Sequence, residues 1–141
     1  MSTKTWLGGL IAGILYFFIG WLVFGILTMD FYRTNMTPYT GISKNPPDMV
    51  FIGLGNLAWG LLLAYVLNRS GVRSAAGGFT TGLVITLLMM LGVDLLNYAT
   101  LNLYNQKLLG IDILLNALMG GVIGAVVGWW LGRGRTAAPA A

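Results

Sequence analysis

A chain of 141 residues that is 57% hydrophobic, 9% charged and +4 in net charge is too poor in charge for a soluble domain, which carries about 25% charged residues. It has no cysteine and no histidine, and its four acids are all aspartates. Disulfides, thiolate chemistry, His-based metal sites, the usual haem ligand and a histidine general base are therefore excluded. The eight basic residues lie outside or at the edges of apolar segments, a scatter that suits membrane orientation and not a nucleic-acid surface.

The first apolar segment, 6–28, is long enough to cross a hydrocarbon core of about 30 Å. It is too long for the apolar region of a signal peptide, and no small-x-small cleavage site precedes a polar stretch, so it is expected to be retained. Gly9 and Gly13 lie four apart near its start. Residues 29–49 follow as the longest polar stretch. Pro38, Gly41 and the Pro46-Pro47 pair rule out one continuous helix there. Phe31, Tyr32 and Tyr39 suit the headgroup level, which makes the stretch an interfacial connector or a lid folded over the bundle end.

A second segment covers 50–67, with Asn56 and Gly60 inside it. A short link with Arg69 and Arg73 leads to the third segment, 78–99, which contains Asp94 and Asn97. A polar link with Tyr104 and Lys107 leads to the fourth, 111–131, stopped by Arg133 and Arg135. Residues 136–141 read as a disordered tail. The predicted fold is all-α, a single membrane bundle of four transmembrane helices. Lys4, Arg69, Arg73, Arg133 and Arg135 fall on one side of it, and Arg33, Lys44 and Lys107 on the other. The excess of basic residues places both termini in the cytoplasm. The aspartates Asp30, Asp48 and Asp112 fall on the outer side and carry little weight under that rule.

Two patterns inside the segments stand out. Gly120, Gly124, Gly128 and Gly132 recur four apart, on nearly one face of a helix. In water each mid-helix glycine costs about 1 kcal/mol, whereas in lipid the bare strip lets another backbone come close. The strip serves either as a groove for a second helix of the same chain or as a self-association face. The second pattern is a weak repeat. T-M-D-F-Y-R (28–33) matches T-L-N-L-Y-N (100–105), and G-N-L-A-W-G (55–60) matches N-A-L-M-G (116–120), with a gap inside the first segment. Two helix pairs of the same orientation, a parallel 2+2 duplication, would produce it.

Depth brings the intramembrane polar residues together. At 1.5 Å per residue, Asp94 sits about 24 Å above Gly78, in the outer half of the core. Asn56 and Asn116 fall about 8–9 Å below the same outer edge, and the Trp21 indole reaches that level. Asp94, Asn97, Asn56, Asn116 and Trp21 thus form a candidate polar layer. An aspartate at the centre of a helix in lipid costs about 2.5–3.5 kcal/mol, so Asp94 is expected to face inward toward amide and indole donors. The layer then acts either as a hydrogen-bond clamp between helices or as a small polar cavity for a cation, a lipid head group or a proton.

At G-N-L-A-W-G and N-A-L-M-G-G-V-I-G-A-V-V-G-W-W-L-G-R-G the chain resembles a group of small bacterial four-helix integral membrane proteins classed as domains of unknown function. The resemblance extends to D-F-Y and K-N-P-P-D in the first loop. It implies the four-helix topology and the bacterial inner membrane, and contributes no chemistry. With few acid–base constellations and no lysine within a segment, neither an enzyme nor a cofactor is expected. The expected partners are the lipid bilayer and, through the glycine faces, a second copy or a larger membrane complex. A structural or accessory packing protein is one reading of that inventory. A small transporter, channel or lipid- or cation-binding module built on the layer around Asp94 is the other.

The orientation has a direct test, because the chain has no native thiol. An impermeant thiol reagent added from outside should label Ser43→Cys and spare Ser74→Cys in intact cells; the reverse pattern would invert the topology.

Overall fold

A computed structural model describes residues 1–134; Arg135 and the tail expected over 136–141 lie outside the described residues. Among the described residues the regular structure is all helical. Helix α1 spans Thr3–Leu22 and continues through a π-helical turn, Val23–Leu27. A short helix α2, Met29–Asn35, follows at once. Helices α3 (Met49–Arg69), α4 (Ala75–Thr100) and α5 (Gln106–Gly132) complete the fold. Four of these helices, α1 with its π-turn among them, are long and apolar enough to cross a membrane.

Each long helix starts on a side-chain cap: Ser2 for α1, Asp48 for α3, Ser74 for α4 and Asn105 for α5 accept from the backbone N–H three residues on. Such caps satisfy amides that the first turn leaves without intrahelical partners. They explain why the helices begin up to five residues before the apolar segments do. Hydropathy counts apolar residues, whereas the helix also includes the polar first turn after its cap. The α3–α4 link turns at Gly71, whose φ of +71° suits a residue without Cβ. The Val72 amide closes the turn on Leu67 O at 3.0 Å.

The helices pair through their glycines. In α1 and α3, a Cβ built on Gly60 would lie 2.3 Å from Gly13 N and 2.5 Å from Gly9 O. In α4 and α5, one built on Gly78 would lie 2.1 Å from Gly124 O, and one on Gly82 would lie 2.3 Å from Gly120 O. The strip of α5 thus meets the backbone of α4 along its length: Gly120 faces Thr86 and Gly82, Gly128 faces Ser74 O and Gly132 faces Arg73 O. Every glycine of the strip is occupied by a contact within the chain.

The two antiparallel pairs join chiefly through α1 and α5. Ala12 and Tyr16 of α1, Leu63 and Leu67 of α3, and Ile123 and Val127 of α5 belong to one buried core. That core fills the half of the bundle near the termini, which are tied together there. Lys4 Nζ donates to Arg133 O, and Trp130 Nε1 donates to Lys4 O at 3.1 Å. Helix α4 supplies no side chain to this core and rests on α5 through its glycines.

The contacts also give the weak repeat a structural register. Gly60 is pressed between Gly9 and Gly13, as Gly120 is between Gly82 and Thr86. Asn56 Nδ2 donates to Ile52 O at 2.8 Å and Asn116 Nδ2 to Asp112 O at 2.9 Å, the same bond in each half. From Gly9 to Thr28 there is one residue more than from Gly82 to Thr100. The π-turn absorbs it, since a π-bulge accommodates a single inserted residue within an α-helix. The gap in the first segment has this cause.

Gly124→Ala should lower the melting temperature in detergent sharply, because its Cβ would meet Gly78 O at 2.3 Å. Gly55→Ala meets nothing within 4 Å and should be neutral, or stabilising by up to about 1 kcal/mol from helix propensity. Equal melting of the two variants would remove the close backbone contact from the account.

Candidate functional site

At the end of the bundle away from the termini, the chain's loops close over two carboxylates. The π-turn sets this up. Thr28 N donates to Val23 O at 2.9 Å and Thr28 Oγ1 to the same oxygen at 2.7 Å, and α2 starts immediately afterwards. Tyr32 lies in α2, its ring edge-on to Phe24 with centroids 5.5 Å apart. Its hydroxyl donates to Asp112 Oδ1.

Asp112 sits in the second turn of α5. Its other carboxylate oxygen, Oδ2, accepts from Asn116 Nδ2 at 3.0 Å, and its carbonyl accepts from the same amide nitrogen at 2.9 Å. Asp94, on α4, is 9% exposed. Its carboxyl neighbours that of Asp112. Asp94 Oδ2 is buried and has no hydrogen-bond partner. Tyr104 closes the far side, its hydroxyl donating to the Asp94 carbonyl at 3.2 Å. No lysine or arginine among the described residues acts on the Asp94 carboxyl; the charged neighbour is Asp112.

A clasp between the two outer loops holds this arrangement. Met36 and Tyr104 form an antiparallel bridge. Thr37 N donates to Leu103 O at 2.8 Å, Asn105 N to Asn35 O at 3.1 Å and Asn105 Nδ2 to Asn35 Oδ1 at 2.6 Å. Part of the 29–49 stretch is therefore ordered helix pinned to the α4–α5 link.

Beside the carboxylates lies a cavity of about 490 Å³, open on one side and lined by all four long helices. Aromatic and methionine side chains dominate it, and Asn56, Asn116, Tyr16 and Thr86 are its polar side chains. Of the sequence-predicted layer, Asn56, Asn116 and Trp21 meet at this cavity, with Trp21 57% exposed. Asp94 instead meets Asp112, and Asn116 belongs to both groups. Asn97 lines neither; it is half-buried.

Sequence reasoning missed Asp112, Tyr32 and Tyr104. Asp112 reads as an outer-side charge at the segment edge, although its spacing from Asn116 puts both on one helix face. The tyrosines had a signal too, because the repeat aligns Tyr32 with Tyr104. Both hydroxyls turn out to contact this acid pair, one through a side chain and one through a carbonyl.

Comparison with protein-family models, curated proteins and solved structures finds no match.

Burial, the hydrogen bond to Asp112, and the charges of Asp112 and Asp94 push the Tyr32 hydroxyl far above the usual tyrosine range. Burial first, then the same two charges, raises that of Tyr104. A pKa raised on folding gives stability that is fully present below the unfolded value, about 10 for tyrosine, and is lost as pH climbs through the folded value. The Tyr32 tie should therefore hold through neutral pH and fail only under strong alkali. In alkaline titration of tyrosinate absorbance, wild type and Tyr32→Phe should diverge only well above about pH 10. A difference already complete at the ordinary tyrosine pKa would contradict the placement of Tyr32 on Asp112.

Proposed function

We propose that this chain is a small integral protein of a bacterial inner membrane, with both termini in the cytoplasm, and that it binds a singly charged cation at the Asp94–Asp112 pair. The membrane placement draws on the four apolar helices and the resemblance to small bacterial membrane proteins. The orientation draws on the basic residues alone.

The observation that carries the cation reading is the buried, unpartnered Asp94 Oδ2 beside a second carboxyl. Two carboxylates side by side in low dielectric repel each other, and one positive charge between them relieves the repulsion. That charge is a proton or an alkali ion. No group of three or more acidic, histidine or cysteine side chains occurs among the described residues, so a multidentate divalent cage has little support. Tyr32 and Asn116 already supply donors to Asp112, which leaves Asp94 as the oxygen offered to the ion.

A structural or accessory role is a second reading, favoured by α4. Leu88 and Leu96 of that helix are 63% and 69% exposed, and α4 rests almost wholly on α5. A partner helix would pack on that face. The glycine faces offer less to such a partner, because contacts within the chain occupy them.

Thermal unfolding of the purified protein in lipid nanodiscs separates the readings. Bound cation at a hundred-fold excess over Kd adds about 2.7 kcal/mol. Melting should therefore rise with sodium or potassium if the ion is an alkali metal, or with falling pH if it is a proton. Asp94→Asn keeps the shape and should abolish that response while still folding. If instead the wild type ignores every cation, and Asp94→Asn melts like it while Asp94→Leu melts early, the pair is a packing clamp and the binding proposal fails.

A further inference from the structure

The cavity beside the acid pair has a chemistry of its own. It is lined by no charged side chain. Phe17, Phe24 and Met90 give it an apolar body, and Trp21 and Trp59 add indole rings that are 57% and 37% exposed. A volume of about 490 Å³ lies within the range of roughly 300–1,000 Å³ typical of small-molecule sites.

Its polar end is more informative. Asn56 and Asn116 each turn their amide nitrogen back onto a carbonyl of their own helix, Ile52 O and Asp112 O. A carbonyl accepts only from the NH2 side, so each side-chain oxygen is left over. Neither Oδ1 has a hydrogen-bond donor among the described residues. The cavity thus presents two neutral acceptors at the end of an apolar, aromatic chamber.

We infer that this cavity binds an alcohol-headed amphiphile from the bilayer, its hydroxyl donating to Asn56 Oδ1 and its hydrocarbon lying among the aromatic and methionine side chains. The alternatives fit worse by charge and hydrogen bonding. A hydrocarbon leaves both amide oxygens without donors. A carboxylate brings a full negative charge to a wall with no basic side chain, and desolvating it there is costly. An ammonium enters a chamber with no counter-charge on its wall, and desolvating it there is costly. A hydroxyl supplies the one donor and remains neutral. Its own oxygen can accept from Tyr16 or Thr86, the hydroxyl side chains of the same wall.

The test is tryptophan fluorescence of the full chain in nanodiscs, titrated with lauryl alcohol, laurylamine, laurate and dodecane. Trp21 and Trp59 report from the cavity. The alcohol should give a saturable change at concentrations where the other three do not. Asn56→Ala removes one acceptor without filling the space and should weaken the alcohol about tenfold, the equivalent of about 1.4 kcal/mol. The alcohol titration is run at fixed salt and pH, whereas the cation reading is tested by the salt and pH dependence of melting without added alcohol, so this inference and the cation reading stand or fall separately. Equal binding of dodecane, tighter binding of laurylamine or laurate, or unchanged alcohol affinity in Asn56→Ala would each overturn it. Should Asn56→Ala fail to fold, the selectivity of the wild type among the four compounds still decides.

Discussion

Backbone pressed against backbone is the contact on which this molecule depends. In lipid, helices gain nothing by hiding hydrophobic side chains from one another, so association relies on close packing. The chain achieves this at Gly60 against Gly9 and Gly13, and at Gly78 and Gly82 against Gly120 and Gly124. At these points a single methyl group would overlap a main-chain atom. The glycine strip is therefore a property of the pair α4–α5 and not a surface: its cost in helix propensity is offset inside the monomer.

These contacts are not spread evenly. They lie with the buried core in the half of the bundle that carries the termini. Helices held so tightly at one end are free to leave space at the other. There Trp, Phe and Met side chains line the space between the helices, and the cavity opens. The two loops then close that end with main-chain bonds between 35–37 and 103–105. The position of the site thus follows from the position of the glycines. A buried carboxylate such as Asp94 is costly in lipid and needs polar neighbours around it.

Much of this was legible in the residues. The four spans and the spacing of the strip follow from helical geometry and hydropathy, and Asn56 and Asn116, expected at one level, meet at the cavity. What hydropathy cannot register is a polar residue inside a helix end. Lys107 belongs to the first turn of α5, before the apolar run, and so reads as link; Asp112, at the edge of that run, reads only as an outer-side charge. Met29–Asn35 reads as connector because Pro38 and the Pro46-Pro47 pair break the stretch as a whole, whereas the helix ends before the first of them. Helix rotation was the other missing quantity. Depth puts Asn97 level with the layer, but three residues from Asp94 it lines neither the acid pair nor the cavity.

The register of the two halves sharpens what is peculiar to the site. Counted from the glycine contacts, Trp21 in α1 stands where Asp94 stands in α4, and Ile52 in α3 where Asp112 stands in α5. One half therefore carries both acids, and the other carries an indole and an isoleucine that line the cavity. The asparagines are kept in both halves, with the same bond to the preceding turn. The tyrosines after each outward helix, Tyr32 and Tyr104, are kept as well, and both lean on the acidic half. The π-turn is what lets Tyr32 do so. In a regular α-helix the extra residue would rotate everything after it by about 100°; the π-turn absorbs that residue, and α2 starts directly from it. The two hairpins thus differ as an acidic half and an aromatic half, joined at Asn116, which lines the cavity with its oxygen uncommitted while its nitrogen holds Asp112.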